Sequence, residues 1–248
     1  MAVAHGSRDP RAAATIEELL GLVRARAASR GLAGLAVGPA YLGHAPPSPA
    51  QVLSALPGGP VVVLPLLLTG AYHSQTDLPA ALRAAREGGG LQIRYGDPLG
   101  PHPLLVTALE RRLAEAGVPA GDPGTSVVLA AAGSGDPRAR AAVARLAARW
   151  RALRGWRDVV PAYASAALPS PTGAVSALLA DGARRVAVAS YLLAPGRFAA
   201  LVSEQALAAG AAAVSAPLGA APELADIVLS RYAAACAGRA AAAAARIA

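Results

Sequence analysis

The stretch AHGSRDPR at residues 4–11 indicates the fold, because the chain repeats it as AAGSGDPR at residues 131–138. A second pair follows in the same order, with LLLTGAYH at residues 66–73 and YLLAPGRF at residues 191–198. In each pair the small and apolar positions survive, while a histidine is lost from the second copy. The repeat therefore predicts an internal duplication in which the chemistry stayed in the first copy and the second became a support.

The duplication predicts two domains of ordinary size. The turn-rich sequence GDPG at residues 121–124 marks the boundary. We expect an N-terminal catalytic domain over residues 1–121 and a C-terminal, degenerate repeat over residues 122–248.

Strand-like and helix-like runs alternate through both halves. The predicted strands cover residues 2–4, 35–41, 61–68, 91–95, 126–131, 159–163, 185–193 and 212–216. The helices predicted in the first half cover residues 11–29, 49–56, 78–87 and 103–116. Continuous apolar strands that alternate with helices are typical of a parallel sheet covered on both faces. The sequence thus predicts an α/β protein with two tandem doubly wound parallel-sheet domains of flavodoxin-like order.

The composition argues against several partners. The formal net charge is +8, yet every basic residue is Arg, which is typical of GC-rich coding and is modest support for an anionic ligand. No basic run is interleaved with aromatic residues, so we expect no nucleic-acid partner. The longest strongly apolar run, residues 61–68, is far shorter than the ~20 residues of a transmembrane helix, so we expect no membrane partner.

A single cysteine, Cys236, excludes an intramolecular disulfide and any cluster held by several thiolates of this chain. The first residues show no charged segment followed by an apolar one, so we expect no secretory signal. Together these features predict a cytoplasmic protein.

Two histidines are the strongest candidates for chemistry. His5 follows the first predicted strand and His73 lies in the loop after the third. The carboxyl ends of parallel strands share one edge of the sheet, and in flavodoxin-like order the first and third strands are neighbours. Imidazole binds divalent metals and exchanges protons near neutral pH, so a facing pair would suit either task. The alternative for each histidine alone is an ordinary hydrogen-bonded surface residue.

Other residues near this edge have plainer interpretations. His44 follows the second strand and is a third candidate, or simply an exposed loop residue. His102 stands at a helix start and is interpreted as a cap or surface residue. Gly6-Ser7 leads into a helix and fits either an anion site or a tight turn with a cap. Arg8 and Arg11 are placed to meet carboxylates, although exposed arginine is common in this chain.

The quoted motifs carry a resemblance to a known family. AHGSRDPR at residues 4–11 is similar to the opening of the sirohydrochlorin chelatases, the class II chelatases. PLLLTGAYH at residues 65–73, followed by DLP at residues 77–79, resembles their second signature. DPLGPHP at residues 97–103 is similar to the segment before the last helix of a half. The resemblance covers both halves and implies the long, two-domain, chelatase-type fold.

The resemblance implies an enzyme that inserts a divalent metal, Co²⁺ or Fe²⁺, into sirohydrochlorin without ATP, in sirohaem or cobalamin synthesis. The metal is a substrate, and no organic cofactor is implied. His5 and His73 match the family's catalytic and metal-binding histidines. The substrate-contacting loop matches five consecutive residues: Leu68, Thr69, Gly70, Ala71 and Tyr72. We expect a monomer, because a duplicated chain buries within itself the interface for which a single-domain relative needs a partner.

One departure from the family pattern supports an alternative function. Where the family often carries a glutamate after the second strand, this chain has Gly43, followed by His44. Either His44 takes over that role or the role is missing, and the second case favours a non-catalytic carrier of tetrapyrrole or metal. A generic phosphate-binding protein that uses Gly6-Ser7 is a third interpretation, but it leaves His73 unexplained.

Overall fold

The computed structural model describes residues 1–69, 82 and 90–238, which contain two four-stranded parallel sheets. The first sheet has the order β2-β1-β3-β4 and consists of β1 (Ala2–Ala4), β2 (Pro39–Tyr41), β3 (Gly59–Pro65) and β4 (Leu91–Tyr95). The second sheet has the order β6-β5-β7-β8 and consists of β5 (Thr125–Ala131), β6 (Asp158–Tyr163), β7 (Arg185–Tyr191) and β8 (Ala213–Val214). The same order occurs twice, and the predicted fold class is confirmed.

All but one of the described helices have a proline in their first turn. The described helices are α1 (Pro10–Ser29), α2 (Pro49–Ser54), α3 (Pro103–Glu115), α4 (Pro137–Leu153), α5 (Pro171–Ala180), α6 (Arg197–Ala208) and α7 (Pro222–Cys236). The Asp9 side chain accepts a hydrogen bond from the Arg11 N–H, and Asp136 accepts one from the Arg138 N–H. Both aspartates are therefore N-caps, as the Asp-Pro pairs predict.

Most predicted strand bounds agree with the structure to within a few residues. The predicted strand 35–41 is shorter in the structure, where only Pro39–Tyr41 pair with β1. The predicted strand 61–68 becomes Gly59–Pro65. Of the predicted helix 78–87, only Leu82 lies within the described residues, and it is buried.

The compact units of the structure do not follow the predicted boundary at 121/122. Among the described residues, one unit comprises residues 1–67, 82, 90–100 and 220–238, and the other comprises residues 68–69 and 101–219. The last helix of each sequence half is thus built into the unit that contains the other half's sheet. The repeat divides the sequence into two halves, whereas each compact unit combines the sheet of one half with the last helix of the other.

Helix α7 completes the first unit. It packs against α1 and β3, and Leu224, Ile227 and Val228 are buried on that face. Asp226 accepts hydrogen bonds from Arg26 at 2.9 Å and Arg30 at 2.6 Å, both at the C-terminal end of α1. This pairing gives α7 a specific register on α1.

Helix α3 completes the second unit. It packs on β7, with Leu105, Leu109 and Leu113 fully buried. Glu110 accepts hydrogen bonds from the Trp150 indole N–H at 3.0 Å and from Arg154 at 2.6 Å. A buried carboxylate that is satisfied in this way fixes α3 against the end of α4. Among the residues described, no helix combines the length and apolar character that crossing a bilayer requires.

Candidate active site

The site is built on the strand at which the order of the first sheet reverses. β1 lies between β2 and β3, so its carboxyl end stands at the switch point where open α/β sheets bind ligands. The three residues of β1 are buried, and His5, the next residue, is exposed. The predicted adjacency of the first and third strands is confirmed, and His5 is presented at the middle of this edge.

The loop after β1 passes very close to the loop after β2. Gly6 has φ +86°, and a methyl group added there would stand 1.8 Å from the Gly43 carbonyl oxygen. The Leu42 N–H also donates to the Ala4 carbonyl at 3.1 Å. Only glycine allows this approach and this φ together, and that accounts for the residue after His5.

In the turn into α1, side chains of the turn itself accept hydrogen bonds from the backbone N–H groups of Asp9 and Arg11. The Ser7 hydroxyl accepts from the Asp9 N–H at 3.1 Å, and Asp9 accepts from the Arg11 N–H at 3.0 Å. The Arg11 side chain also binds the Asp9 carboxylate, at 2.7 Å, and holds the pKa of Asp9 below its usual value. A carboxylate already occupies the helix start, so the structure favours the tight turn with a cap over the anion site at Gly6-Ser7.

His44 lies on the neighbouring loop of the same edge. It is exposed and has φ +65°, a left-handed conformation that is uncommon for residues other than glycine. The loop is tied back to β2 because the Tyr41 N–H donates to the Pro47 carbonyl at 2.8 Å. Burial raises the pKa of the Tyr41 hydroxyl, and the charge of Glu17 adds to the effect. The structure thus brings His44 and His5 onto touching loops.

The second predicted histidine cannot be placed. His73, Gly70, Ala71 and Tyr72 lie outside the described residues, so the pairing of His5 with His73 remains a prediction. Within residues 1–69, 82 and 90–238, no three His, Cys, Asp or Glu side chains are grouped to hold a metal ion. What the structure adds is the entry to this loop: Leu68 and Thr69, both partly buried.

His102 caps a helix, as predicted. Its Nδ1 atom accepts a hydrogen bond from the Leu104 N–H at 3.2 Å, at the first turn of α3. The residue belongs to the second compact unit, whereas His5 belongs to the first. Capping α3 is a structural role, and it accounts for the presence of His102.

The corresponding edge of the second sheet repeats the backbone without the imidazoles. Gly133 has φ +94°, and a methyl group there would stand 1.8 Å from the Ser165 carbonyl oxygen. Ala166, with φ +56°, takes the place of His44, and Ala132 takes the place of His5. The Ser165 hydroxyl donates to the Ala132 carbonyl at 2.9 Å. The loop geometry is therefore a property of the scaffold, and the histidines are what the first edge adds.

Sequence reasoning missed one residue, Tyr191. It corresponds to Leu66 in the repeat, and its hydroxyl donates to the Leu68 carbonyl at 2.8 Å. The sequence did carry a signal for this residue: Tyr191 stands at the end of a predicted strand, at a position where the first half of the repeat has the apolar Leu66.

Comparison with known proteins places this geometry in a family. The CbiX family model matches residues 1–116 and 126–235. A sirohydrochlorin ferrochelatase of Bacillus subtilis is 31% identical over 137 residues, which cover 55% of this chain and 52% of that protein. A sirohydrochlorin cobaltochelatase of Priestia megaterium is 30% identical over 141 residues, 55% of this chain and 45% of that protein. The match thus spans about half the length of these relatives.

A solved structure supports the fold over nearly the whole chain. SirB from Bacillus subtilis with Fe³⁺ superposes with a TM-score of 0.74 and covers 99% of this chain and 98% of that one, at 21% identity. At this level of identity the likeness establishes the architecture.

Proposed function

The chain belongs to the CbiX family, and from this membership we propose that it is a sirohydrochlorin chelatase, an enzyme that inserts Co²⁺ or Fe²⁺ into sirohydrochlorin without ATP. The observation that carries the proposal is the exposed His5 at the carboxyl end of the central strand β1. The second edge keeps the loop backbone and has Ala132 instead, which marks the imidazole as the functional difference. In the proposal the first edge is the active one and residues 122–248 are a degenerate copy.

Metal insertion exchanges two pyrrole N–H protons for one divalent cation. The reaction needs a ligand that delivers the metal and a base near the macrocycle, and a neutral imidazole can serve as either. We assign both tasks to His5 in sequence: its basic nitrogen first ligates the metal, with His73 as the second metal ligand, and accepts one pyrrole proton after the metal has passed to the ring, while the second pyrrole proton goes to solvent. The loop Leu68–Tyr72 is assigned to the face of the macrocycle. Holding metal and ring together supplies a further part of the rate.

One arginine at this edge is suited to the peripheral carboxylates of the ring. Arg11 is bound to Asp9 through three hydrogen bonds of 2.7–3.2 Å, so its charge is already compensated. Arg8 is exposed, and none of the described residues forms an ion pair with it. We therefore assign carboxylate binding to Arg8 rather than Arg11.

The physiological metal decides the pathway, with iron leading to sirohaem and cobalt to cobalamin. Two imidazole ligands suit either ion. We also propose that the protein acts as a monomer in the cytoplasm, in keeping with its single cysteine and duplicated sequence.

A carrier that binds tetrapyrrole or metal without catalysis is the second candidate. Gly43 stands where the family often has a glutamate, and this observation favours it. His44, on the adjoining loop, is the residue that would take over the missing role.

The test is sirohydrochlorin absorbance in the absence of oxygen, on addition of Fe²⁺ or Co²⁺, with and without the protein. We expect a protein-dependent rate that disappears in His5→Ala and in His73→Ala. His102→Ala is the matched control, because it removes an imidazole that caps α3, and it should retain the rate. A His44→Ala variant with less than a tenth of the rate would assign the glutamate's role to His44.

Two results would contradict the proposal. Full activity in His5→Ala or in His73→Ala would remove that residue from the mechanism. A spectral shift that shows ring binding, without faster insertion of either metal, would establish the carrier instead.

A further inference from the structure

A groove lies between helix α4 and β6, the edge strand of the second sheet. Its apolar lining consists of four alanines of α4 together with Trp156, Val159 and Pro161, and its charged lining consists of Arg151 and Arg157. The volume of this α4–β6 groove is about 640 Å³, within the range of about 300–1,000 Å³ that is usual for small-molecule sites. All of these residues belong to the second compact unit, so the groove is a feature of that unit alone.

Small side chains on α4 leave the space for the groove. The alanines that line it are Ala144, Ala147, Ala148 and Ala152. When α1 and α4 are aligned from their N-cap aspartates, Ala147 corresponds to Leu20, which is fully buried in the first unit. The second half of the repeat thus has a methyl group where the first half has a large apolar side chain.

The surroundings of the groove are strongly basic. Residues 138–157 contain seven arginines and no aspartate or glutamate. Three of these arginines form an ion pair with an acidic side chain, and the other four have no acidic partner among the residues that the structure describes. In the same alignment Arg145 corresponds to Glu18, so the first half does not share this charge. A basic surface around an apolar groove favours an anionic ligand with an apolar body.

Arg151 is the arginine that is best placed to bind such an anion. It lines the groove, its side chain is 58% exposed, and its Nε atom lies 3.4 Å from Oδ1 of Asp158. That distance is longer than an ordinary hydrogen bond, so the guanidinium keeps its donors for a ligand. Arg157, in contrast, already donates to the carbonyls of Asp181 and Gly182. A carboxylate in the groove therefore has Arg151 as its partner.

Trp156 contributes an aromatic wall with an unpaired donor. It is 4% exposed and packs edge-to-face on Trp150, with the ring centroids 6.0 Å apart. The Trp150 N–H donates to Glu110, whereas none of the described residues accepts a hydrogen bond from the Trp156 N–H. Buried donors in proteins are normally paired, and an acceptor carried by a ligand in the groove would pair this one.

We propose that the α4–β6 groove binds an organic anion that combines a flat aromatic body with a carboxylate. Arg151 binds the carboxylate, and the aromatic body lies against Trp156 and the alanines of α4. No residue of the groove belongs to the site assigned to metal insertion, so this ligand site is independent of the proposed function. It gives the degenerate half a binding task of its own.

The test measures the binding of 1-pyrenebutyrate, a flat aromatic ring system with one carboxylate, to the full chain at physiological ionic strength. Quenching of tryptophan emission reports binding, because the two tryptophans of the chain are Trp156, which lines the groove, and Trp150, which packs on it. The control ligand is 1-pyrenemethanol, which has the same ring system without the carboxylate. We expect 1-pyrenebutyrate to bind more tightly by about fivefold or more.

Two variants test the charged and the apolar part of the groove. Arg151→Gln should raise the dissociation constant of 1-pyrenebutyrate by about threefold to tenfold. Arg145→Gln is the matched control, because it removes the same charge from an exposed position of α4 that does not line the groove, and it should change this constant by less than about twofold. Ala148→Leu narrows the groove from an exposed position and should weaken both ligands by about fivefold or more without lowering the melting temperature.

Three results would overturn the inference: equal affinity of the two ligands, an equal loss of affinity in Arg151→Gln and Arg145→Gln, or unchanged binding in Ala148→Leu. All three variants should keep the metal-insertion rate of the wild type, because none of them alters a residue assigned to that reaction. A chain that binds 1-pyrenebutyrate through Arg151 without inserting metal would refute the chelatase proposal and leave this site standing.

Discussion

Replacing Gly6 with alanine tests the geometry of the candidate site directly. The new methyl group would stand 1.8 Å from the Gly43 carbonyl oxygen, whereas such contacts are essentially never shorter than 3.0 Å. The loops after β1 and β2 must therefore separate by about 1 Å or more. Because His5 precedes Gly6 and His44 follows Gly43, both candidate imidazoles would move with them.

The loss of stability expected for Gly6→Ala has two contributions, and each can be measured separately in this chain. A left-handed φ costs an alanine about 1 kcal/mol, and Gly31, with φ +78° and nothing within 4 Å of an added methyl group, isolates that contribution. The forced separation strains the bond from the Leu42 N–H to the Ala4 carbonyl and adds about 2 kcal/mol. Gly6→Ala should thus lower the free energy of unfolding by about 3 kcal/mol, or the melting temperature by about 6–12 °C.

Gly133→Ala is the matched control for activity. It introduces the same 1.8 Å contact, with the Ser165 carbonyl, at the edge without imidazoles. We expect similar losses of stability in the two variants, measured by thermal and urea unfolding. The metal-insertion rate of the folded protein should fall by about tenfold to a hundredfold in Gly6→Ala and by less than twofold in Gly133→Ala.

Two results would refute this reasoning. If Gly6→Ala were as stable as Gly31→Ala, the close approach of the two loops would be wrong. If Gly133→Ala lost as much activity as Gly6→Ala, the first edge would not be the distinct catalytic one.

Two further predictions follow from the same structure. The fragment 1–121 lacks α7 and should show neither the circular dichroism nor the turnover of the full chain; native turnover by the fragment would contradict the packing of α7 on α1. Hydrogen bonds from the Thr125 hydroxyl and then the Gly124 N–H lower the pKa of Asp122. The stability that the Asp122 carboxylate supplies is present above the pKa of this group in the unfolded chain and is lost as the pH falls. The wild type should therefore lose more stability between about pH 5 and pH 3 than Asp122→Asn, which has no carboxylate to protonate. Urea unfolding of both proteins at each pH measures the difference.

Local signals predicted the local structure well. The Asp-Pro pairs predicted both N-caps because the cap and the first-turn proline act within three residues. Apolar runs predicted the strands, and the flavodoxin-like order predicted that the first and third strands are neighbours. His5 could be placed at the sheet edge because a strand end is a local property.

The exchange of α3 and α7 between the units could not be predicted. A helical pattern shows which face is buried, as Leu109 and Leu224 are, but it does not specify the sheet that buries it. The contact from Tyr191 to Leu68 is hidden for the same reason, because it joins residues 123 positions apart. The pairing of His5 with His73 stays a prediction.

The placement of α7 also orders events during synthesis of the protein. The first sheet is translated by residue 95, yet the helix that packs against α1 and β3 ends at residue 236. Until that helix leaves the ribosome, the face of α1 that bears Arg26 and Arg30 has no Asp226 to bind. The N-terminal unit, the first to be made, is consequently the last to be completed, and the nascent chain carries an uncovered apolar surface for more than half of its translation.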